Sequence, residues 1–160
     1  MKNQTCCFTG HRILPEPMDV IEKRLLEAVE AAIQEGYLYF GAGGARGFDA
    51  LASETVLRLK EAHPAIHLIL VLPFDRQYRH EGDWTPAEIG QYHRLRERAS
   101  KVVILAPAYR SGIYYRRNRH LVDHSSLCLG FMTRAASGTG YTMAYAARRG
   151  LNTVNLARGG

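Results

Sequence analysis

The sequence predicts an α/β protein: three layers, with a mainly parallel sheet and helices on both of its faces. Three observations lead there. Short apolar runs alternate with helix-periodic segments along the whole chain. Several of those runs, above all His67-Leu-Ile-Leu-Val-Leu-Pro73, are continuously apolar rather than alternating. That is the pattern of a strand covered on both faces. Glycine-rich turns stand where the runs give way to helices, as βα connections require.

Each element follows from local chemistry. Gln4–Phe8 reads as a strand that ends at Thr9-Gly10-His11-Arg12. Pro15 and Pro17 open a helix whose apolar face is Ile21, Leu25, Ala28, Val29, Ala32 and Ile33, and Gly36 stops it. Tyr37–Phe40 is a short strand running into Gly41-Ala-Gly43-Gly44-Ala-Arg46-Gly47. The next helix buries Leu51, Ala52, Thr55, Val56 and Leu59, and His63-Pro64 ends it. Ile66–Leu72 is the covered strand, and 73–83 reads as polar and irregular. Thr85-Pro86 caps a helix through about Ala99. Val102–Leu105 is a strand, followed by a loop rich in Tyr and Arg. A basic helix is expected to start at Arg116-Arg117-Asn118-Arg119. Leu127–Phe131 is a strand, Gly138–Arg149 a helix closed by Gly150, and Thr153–Leu156 a last strand. Residues 1–157 are expected to form one domain, with 158–160 a loose tail.

Composition narrows the class. The apolar fraction of 46% and charged fraction of 22% suit a globular protein. No apolar run is long enough to span a bilayer, and the first residues lack a signal-peptide core. A cytoplasmic location without a membrane partner is the expectation. Cys6, Cys7 and Cys128 lie in apolar strands, which suits a reducing compartment. On a strand, adjacent Cys6 and Cys7 face opposite ways, so they make no metal pair. His120 and His124 share a helical face with Asp123 but have no third ligand in view, so local hydrogen bonding is the simpler account. No cofactor is expected. Charge is uneven: residues 1–100 carry 12 Lys+Arg against 14 Asp+Glu. Residues 101–160 carry 9 against the single acid Asp123, a net of +8 within the +6 of the whole chain. The basic third calls for a phosphorylated or polyanionic partner.

Candidate ligand residues cluster at the C-terminal ends of strands, where open α/β sheets bind ligands. They are Thr9, Gly10, His11 and Arg12 after the first strand, and Gly43, Gly44, Arg46, Gly47 and Asp49 after the second. Arg117, Asn118 and Asp123 lie on the basic helix, and Gly138 and Thr139 open a later one. Trp84 is a candidate for stacking on a base, or equally a cover for the sheet edge. Glycines admit a ligand to the backbone, helix N-termini supply N–H donors, and guanidiniums grip phosphate oxygens in pairs. Any one such turn is ordinary loop chemistry; their convergence is what points to a phosphate-bearing ligand. Arg46 stands where a dinucleotide fingerprint needs its third glycine, and no P-loop is present.

Five segments, in order, resemble the YpsA-like family of the SLOG superfamily. They are Cys7-Phe8-Thr9-Gly10-His11-Arg12; Gly43-Gly44-Ala45-Arg46-Gly47-Phe48-Asp49; Pro73-Phe74 with Gln77 and Trp84; Arg117-Asn118-Arg119 with Val122-Asp123; and Gly138-Thr139 with Tyr141-Thr142. The resemblance implies a Rossmann-like fold that senses or processes small nucleotide derivatives, with roles in bacterial cell division for some members. Gly44–Asp49 and Arg116–Arg119 also resemble the Rossmann core of DNA-processing protein A, which implies single-stranded nucleic acid as an alternative partner. LOG-type phosphoribohydrolases carry a catalytic Glu after a similar glycine turn. Here that position falls near Thr142, and no acid occurs from Leu127 to Gly160. A nucleotide N-glycoside or phosphoester hydrolase is therefore the weaker alternative, with Asp49, Asp123 and His11 its only acid–base candidates. A binding or sensing domain is the favoured reading, and exposed helices of such a fold permit a homo-oligomer.

Overall fold

The computed structural model describes residues 1–158. The chain forms β1 (Thr5–Gly10), α1 (Met18–Gln34), β2 (Tyr39–Ala42), α2 (Phe48–Lys60), β3 (His67–Phe74) and α3 (Tyr78–Glu81). Then follow α4 (Pro86–Arg98), β4 (Lys101–Ala106), α5 (Ile113–Asp123), β5 (Leu127–Phe131), α6 (Gly138–Arg148) and β6 (Asn152–Asn155). The six strands lie in the order β4-β3-β2-β1-β5-β6. Every neighbouring pair is parallel. The α/β, Rossmann-like class is therefore as expected, with the sheet wholly parallel.

The pleat sorts the core into two layers. Cys6 and Phe8 face a cluster with Ile21, Leu25 and Val29 of α1, Phe48 and Val56 of α2, and Tyr92 and Leu95 of α4. Cys7 and Cys128, side by side in the β1–β5 register, face Leu121 and Val122 of α5 and Ala146 of α6. All three cysteines are buried and free. Helix ends follow their caps. Thr85 Oγ1 accepts from the Glu88 N–H at 3.2 Å while Glu88 Oε1 accepts from the Thr85 N–H at 2.8 Å. This reciprocal pair, with Pro86 at the first helical position, starts α4 and contributes about 1 kcal/mol.

β2 lies at Tyr39–Ala42 rather than Tyr37–Phe40 and β6 at Asn152–Asn155 rather than Thr153–Leu156; three other departures have a visible cause. β1 runs on to Gly10, because Thr9 and Gly10 pair with Gly130 and Phe131 of β5. Within 73–83, taken as irregular, β3 continues to Phe74 and the short α3 forms around the buried Tyr78. The basic helix starts one turn before its arginines, at Ile113 behind a left-handed Gly112. Ile113 is buried against Phe74 and Ala106, and that docking sets the start of the helix. Arg116–Arg119 therefore project from its second turn rather than from its free N–H groups. At the chain's end the Arg158 N–H donates to Glu16 Oε2 at 3.2 Å. The remaining residues of the expected tail, 159–160, lie outside the described residues.

From β1 the chain winds outward to β4, then returns across the sheet to place β5 on the other side of β1. The topological switch point thus falls between β1 and β5. There the connections leave in opposite directions and open a crevice beyond the strand ends.

Candidate functional site

That crevice holds a cavity of about 490 Å³, within the range of small-molecule sites. The end of β1 contributes Thr9 and Gly10 to its wall, and the β1–α1 loop His11, Arg12 and Ile13. Ala45 comes from the β2–α2 turn, Asp49 from the start of α2, and Arg134, Ser137, Gly138 and Thr139 from the entry to α6. Tyr114, Tyr115, Arg117 and Asn118 come from α5. The lining carries three guanidiniums and one carboxyl group.

Asp49 and Arg117 form the floor. Asp49 is 7% exposed, and no side chain among the described residues hydrogen-bonds its carboxyl. Burial pushes its pKa up to about 6, against the pull of Arg117 and of the Ala45 and Gly43 amides. Arg117 is also buried, and desolvation pushes its pKa down. Arginine stays charged nonetheless. Its Nη1 donates to the Gly43 carbonyl and its Nε to Asn118 Oδ1 at 2.7 Å. Gly43 has to be glycine for this contact, since a Cβ there would lie 2.9 Å from the guanidinium.

The rim is tied down by Glu81 of α3. Its carboxylate takes Arg12 at 3.0 Å, the Tyr114 hydroxyl at 3.0 Å and Trp84 Nε1 at 2.9 Å. Burial, followed by the Glu81 charge, raises the Tyr114 pKa, so its phenol remains a donor. On the opposite wall His11 is 8% exposed. Its Nε2 accepts from the Thr133 N–H at 2.9 Å, and its Nδ1 lies 3.4 Å from Thr139 Oγ1. Burial and then the Arg134 charge lower its pKa, so the ring is neutral at pH 7. Ser137 caps α6 by accepting from the Gly140 N–H at 3.0 Å. The Gly138 and Thr139 amides in that first turn lack intrahelical partners.

A family model described as the YspA SLOG family (YpsA) matches residues 15–153. The chain belongs to that family. It is 35% identical over 82 residues to the UPF0398 protein BH1768 of Halalkalibacterium halodurans, a match that covers 51% of this chain and 42% of that one. The chain thus spans about two fifths of that curated relative. Among solved structures it is similar to DNA processing protein A of Helicobacter pylori, described for its single-stranded DNA binding mode. The TM-score is 0.66 at 17% identity, over 95% of this chain and 64% of that one. The Streptococcus pneumoniae DNA processing protein A gives 0.64 at 15% identity, over 95% of this chain and 50% of that one. TM1055 gives 0.60 at 16% identity, over 94% and 72%. At these identities the likeness establishes the fold.

Not every residue singled out from the sequence of this YpsA-family chain borders the cavity. Gly43, Gly44 and Gly47 shape the β2–α2 turn from behind, where Gln77 Nε2 donates to the Gly44 carbonyl at 2.9 Å. Arg46 turns outward to Asp83 at 2.7 Å and Glu88 at 3.5 Å. With Trp84 it lines a separate void of about 10 Å³, room for about one water and none for a base. Trp84 packs against Tyr78 and Tyr92, at 5.8 and 5.9 Å between ring centroids, so it serves as a cover there. Asp123 sits at the far end of α5, taken by Tyr145 at 2.7 Å and Arg149 at 3.4 Å. His124 Nδ1 bonds to the His120 carbonyl at 2.7 Å, and the two rings stack at 4.2 Å. Among the described residues no group of three or more His, Cys, Asp and Glu is placed to hold a metal. No helix among them is long and apolar enough to cross a membrane.

Sequence reasoning missed Arg134, Ile13 and Glu81. Arg134 was legible as the one cation in the glycine turn before Thr139. Glu81 was not, because its partners lie far off in the chain.

The Asp49 environment has a measurable consequence in the YpsA-family fold. A carboxyl whose pKa rises from 3.8 unfolded to about 6 folded binds more protons in the native state. It therefore makes stability fall as pH rises from about 4 to 6, by on the order of 3 kcal/mol. Asp49→Asn is expected to remove that slope, while giving up at pH 7 the negative charge beside buried Arg117. Urea denaturation of both proteins from pH 4 to 7 reads the difference. Curves that stay parallel would mean Asp49 ionises as freely as in water.

Proposed function

We propose that this protein binds, and through binding senses, a small nucleotide derivative in the cavity at the C-terminal ends of β1, β2 and β5. One observation carries the reading: complementary halves of a ribose-phosphate site share a single cavity. Arg12, Arg134 and the first-turn amides of α6 supply donors suited to phosphate. Asp49, buried on the floor, supplies an acceptor for ribose hydroxyls. Exposed Ile13 and Tyr115 at the mouth offer apolar surface to a base. Arg46, Trp84 and Asp123 have no direct part in this reading; Gly43, Gly44 and Gly47 support it as backbone.

Single-stranded nucleic acid is the second reading. It is favoured by the fold likeness to the Helicobacter DNA processing protein A and by exposed Tyr109 and Tyr115 on the basic third of the chain. One set of measurements separates the two. Calorimetry against ADP-ribose, AMP, NAD and cyclic dinucleotides is expected to give saturable binding of at least one compound. Silence from folded protein across the panel would sink the first reading. Anisotropy with a labelled single-stranded oligonucleotide tests the second. Binding there must weaken with salt, by a log–log slope of about −0.7 per phosphate contacted, and with Arg116→Ala plus Arg119→Ala. Chromatography of the calorimetry samples reports released base or ribose phosphate, the sign of a hydrolase. Loss of that release in Asp49→Asn would make Asp49 its acid–base group.

A further inference from the structure

We infer that His11 is a positioning residue that locks the Thr139 hydroxyl as a donor, so that this corner of the cavity takes a deprotonated phosphoryl oxygen. The inference rests on the nucleotide reading above and assigns which end of the ligand lies at α6. The chain of donors settles the geometry. A backbone N–H can only donate, so the 2.9 Å contact from Thr133 makes His11 Nε2 an acceptor without a proton. The ring is neutral, so its proton sits on Nδ1, facing Thr139 Oγ1 at 3.4 Å. The Thr139 oxygen then accepts, and its own hydrogen must point elsewhere.

Thr139 is 6% exposed and lines the cavity. No acceptor for its hydroxyl among the described residues takes that hydrogen. A buried hydroxyl with a free proton, beside the Gly138 and Thr139 amides and Arg134, presents only donors. A deprotonated phosphoryl oxygen accepts from several of these donors at once; a hydroxyl can accept too but brings a hydrogen that finds no acceptor here, and an ammonium accepts none. The phosphate therefore lies at the β5–α6 side and the sugar hydroxyls at the Asp49 side.

The test uses the full chain and inorganic pyrophosphate as the probe. Long-range proton–nitrogen NMR on histidine-labelled protein, with His11 assigned through His11→Gln, is expected to place the His11 proton on Nδ1. Thr139→Val is expected to lose roughly 10- to 100-fold in pyrophosphate affinity, since a hydrogen bond to a charged group goes missing. Thr139→Ser, which keeps the hydroxyl, should stay within about 3-fold. His11→Gln keeps an acceptor for Thr133 but frees the Thr139 rotor, and a fall of roughly 3- to 10-fold is expected at an unchanged melting temperature. A proton on Nε2, an unaffected Thr139→Val, an unaffected His11→Gln or a wild type blind to pyrophosphate each overturns the inference. A protein blind to pyrophosphate that still takes ADP-ribose overturns the inference alone. The expected pyrophosphate pattern with no nucleotide bound overturns the nucleotide reading alone.

Discussion

Arg117→Ala is expected to destabilise the protein by about 3–5 kcal/mol, the cost of leaving a buried charge without its partner. Arg117 is buried, and three interactions end with it: the bond to the Gly43 carbonyl, the 2.7 Å bond to Asn118 and the charge beside Asp49. The Tyr114 ring, 5.6 Å from the guanidinium, loses a cation as well. For a domain of this size the melting temperature should fall by roughly 10 °C or more. Part of the loss belongs to Asp49, whose carboxylate would be stranded at neutral pH. Arg117→Ala combined with Asp49→Asn is therefore expected to recover about 1–2 kcal/mol relative to Arg117→Ala alone. Equilibrium denaturation of the two singles and the double completes the cycle. Strict additivity would show that the two groups do not interact across the cavity floor.

Gly47→Ala should cost about 3 kcal/mol or more, and it should cost ligand affinity with it. Gly47 has φ of +77°, where an L side chain is strained by about 1–3 kcal/mol. Space is the larger obstacle. An added Cβ would lie 2.2 Å from the Arg12 carbonyl oxygen, so backbone must move. The adjoining bond from the Phe48 N–H to the His11 carbonyl, at 3.1 Å, clamps the same two loops together. Forcing them apart displaces Arg12 and His11 from the cavity wall. Gly82→Ala is a milder comparison: its φ of +78° comes with a ψ of −3°, the left-handed helical region, and nothing stands within 4 Å of the added carbon. It should cost only the backbone strain, about 1 kcal/mol. Equal losses at the two positions would mean that the loop contact at Gly47 yields easily.

The sheet, most helix bounds and the loop ends that form the cavity were legible because their causes are local. Strand runs such as Leu127–Phe131 and the Thr85-Pro86 cap are set by residues within a turn of each other. The β1–α1 loop and the α6 entry were recognisable because glycine and hydroxyl residues punctuate them. The start of α5 was hidden because Ile113 docks not only against nearby Ala106 but also against Phe74 at the end of β3, far back in the chain. The fate of the arginines was equally hidden. Arg12, Arg46 and Arg117 look alike in the sequence, yet Arg46 is spent on Asp83, Arg12 is shared with Glu81, and Arg117 is buried in the floor.

By itself, then, the sequence determined the α/β class, the family and the loops that meet beyond the sheet. Periodicity, caps and turn residues act over a few positions, and they accumulate along the chain. Only the tertiary structure decided which charged and aromatic side chains face the cavity. It also decided that Asp49 is buried near Arg117, that Trp84 and Asp123 are taken up elsewhere, and that Thr133 sets the His11 tautomer. Those outcomes depend on desolvation and on partners tens of residues away, which the strand order β4-β3-β2-β1-β5-β6 alone brings within reach.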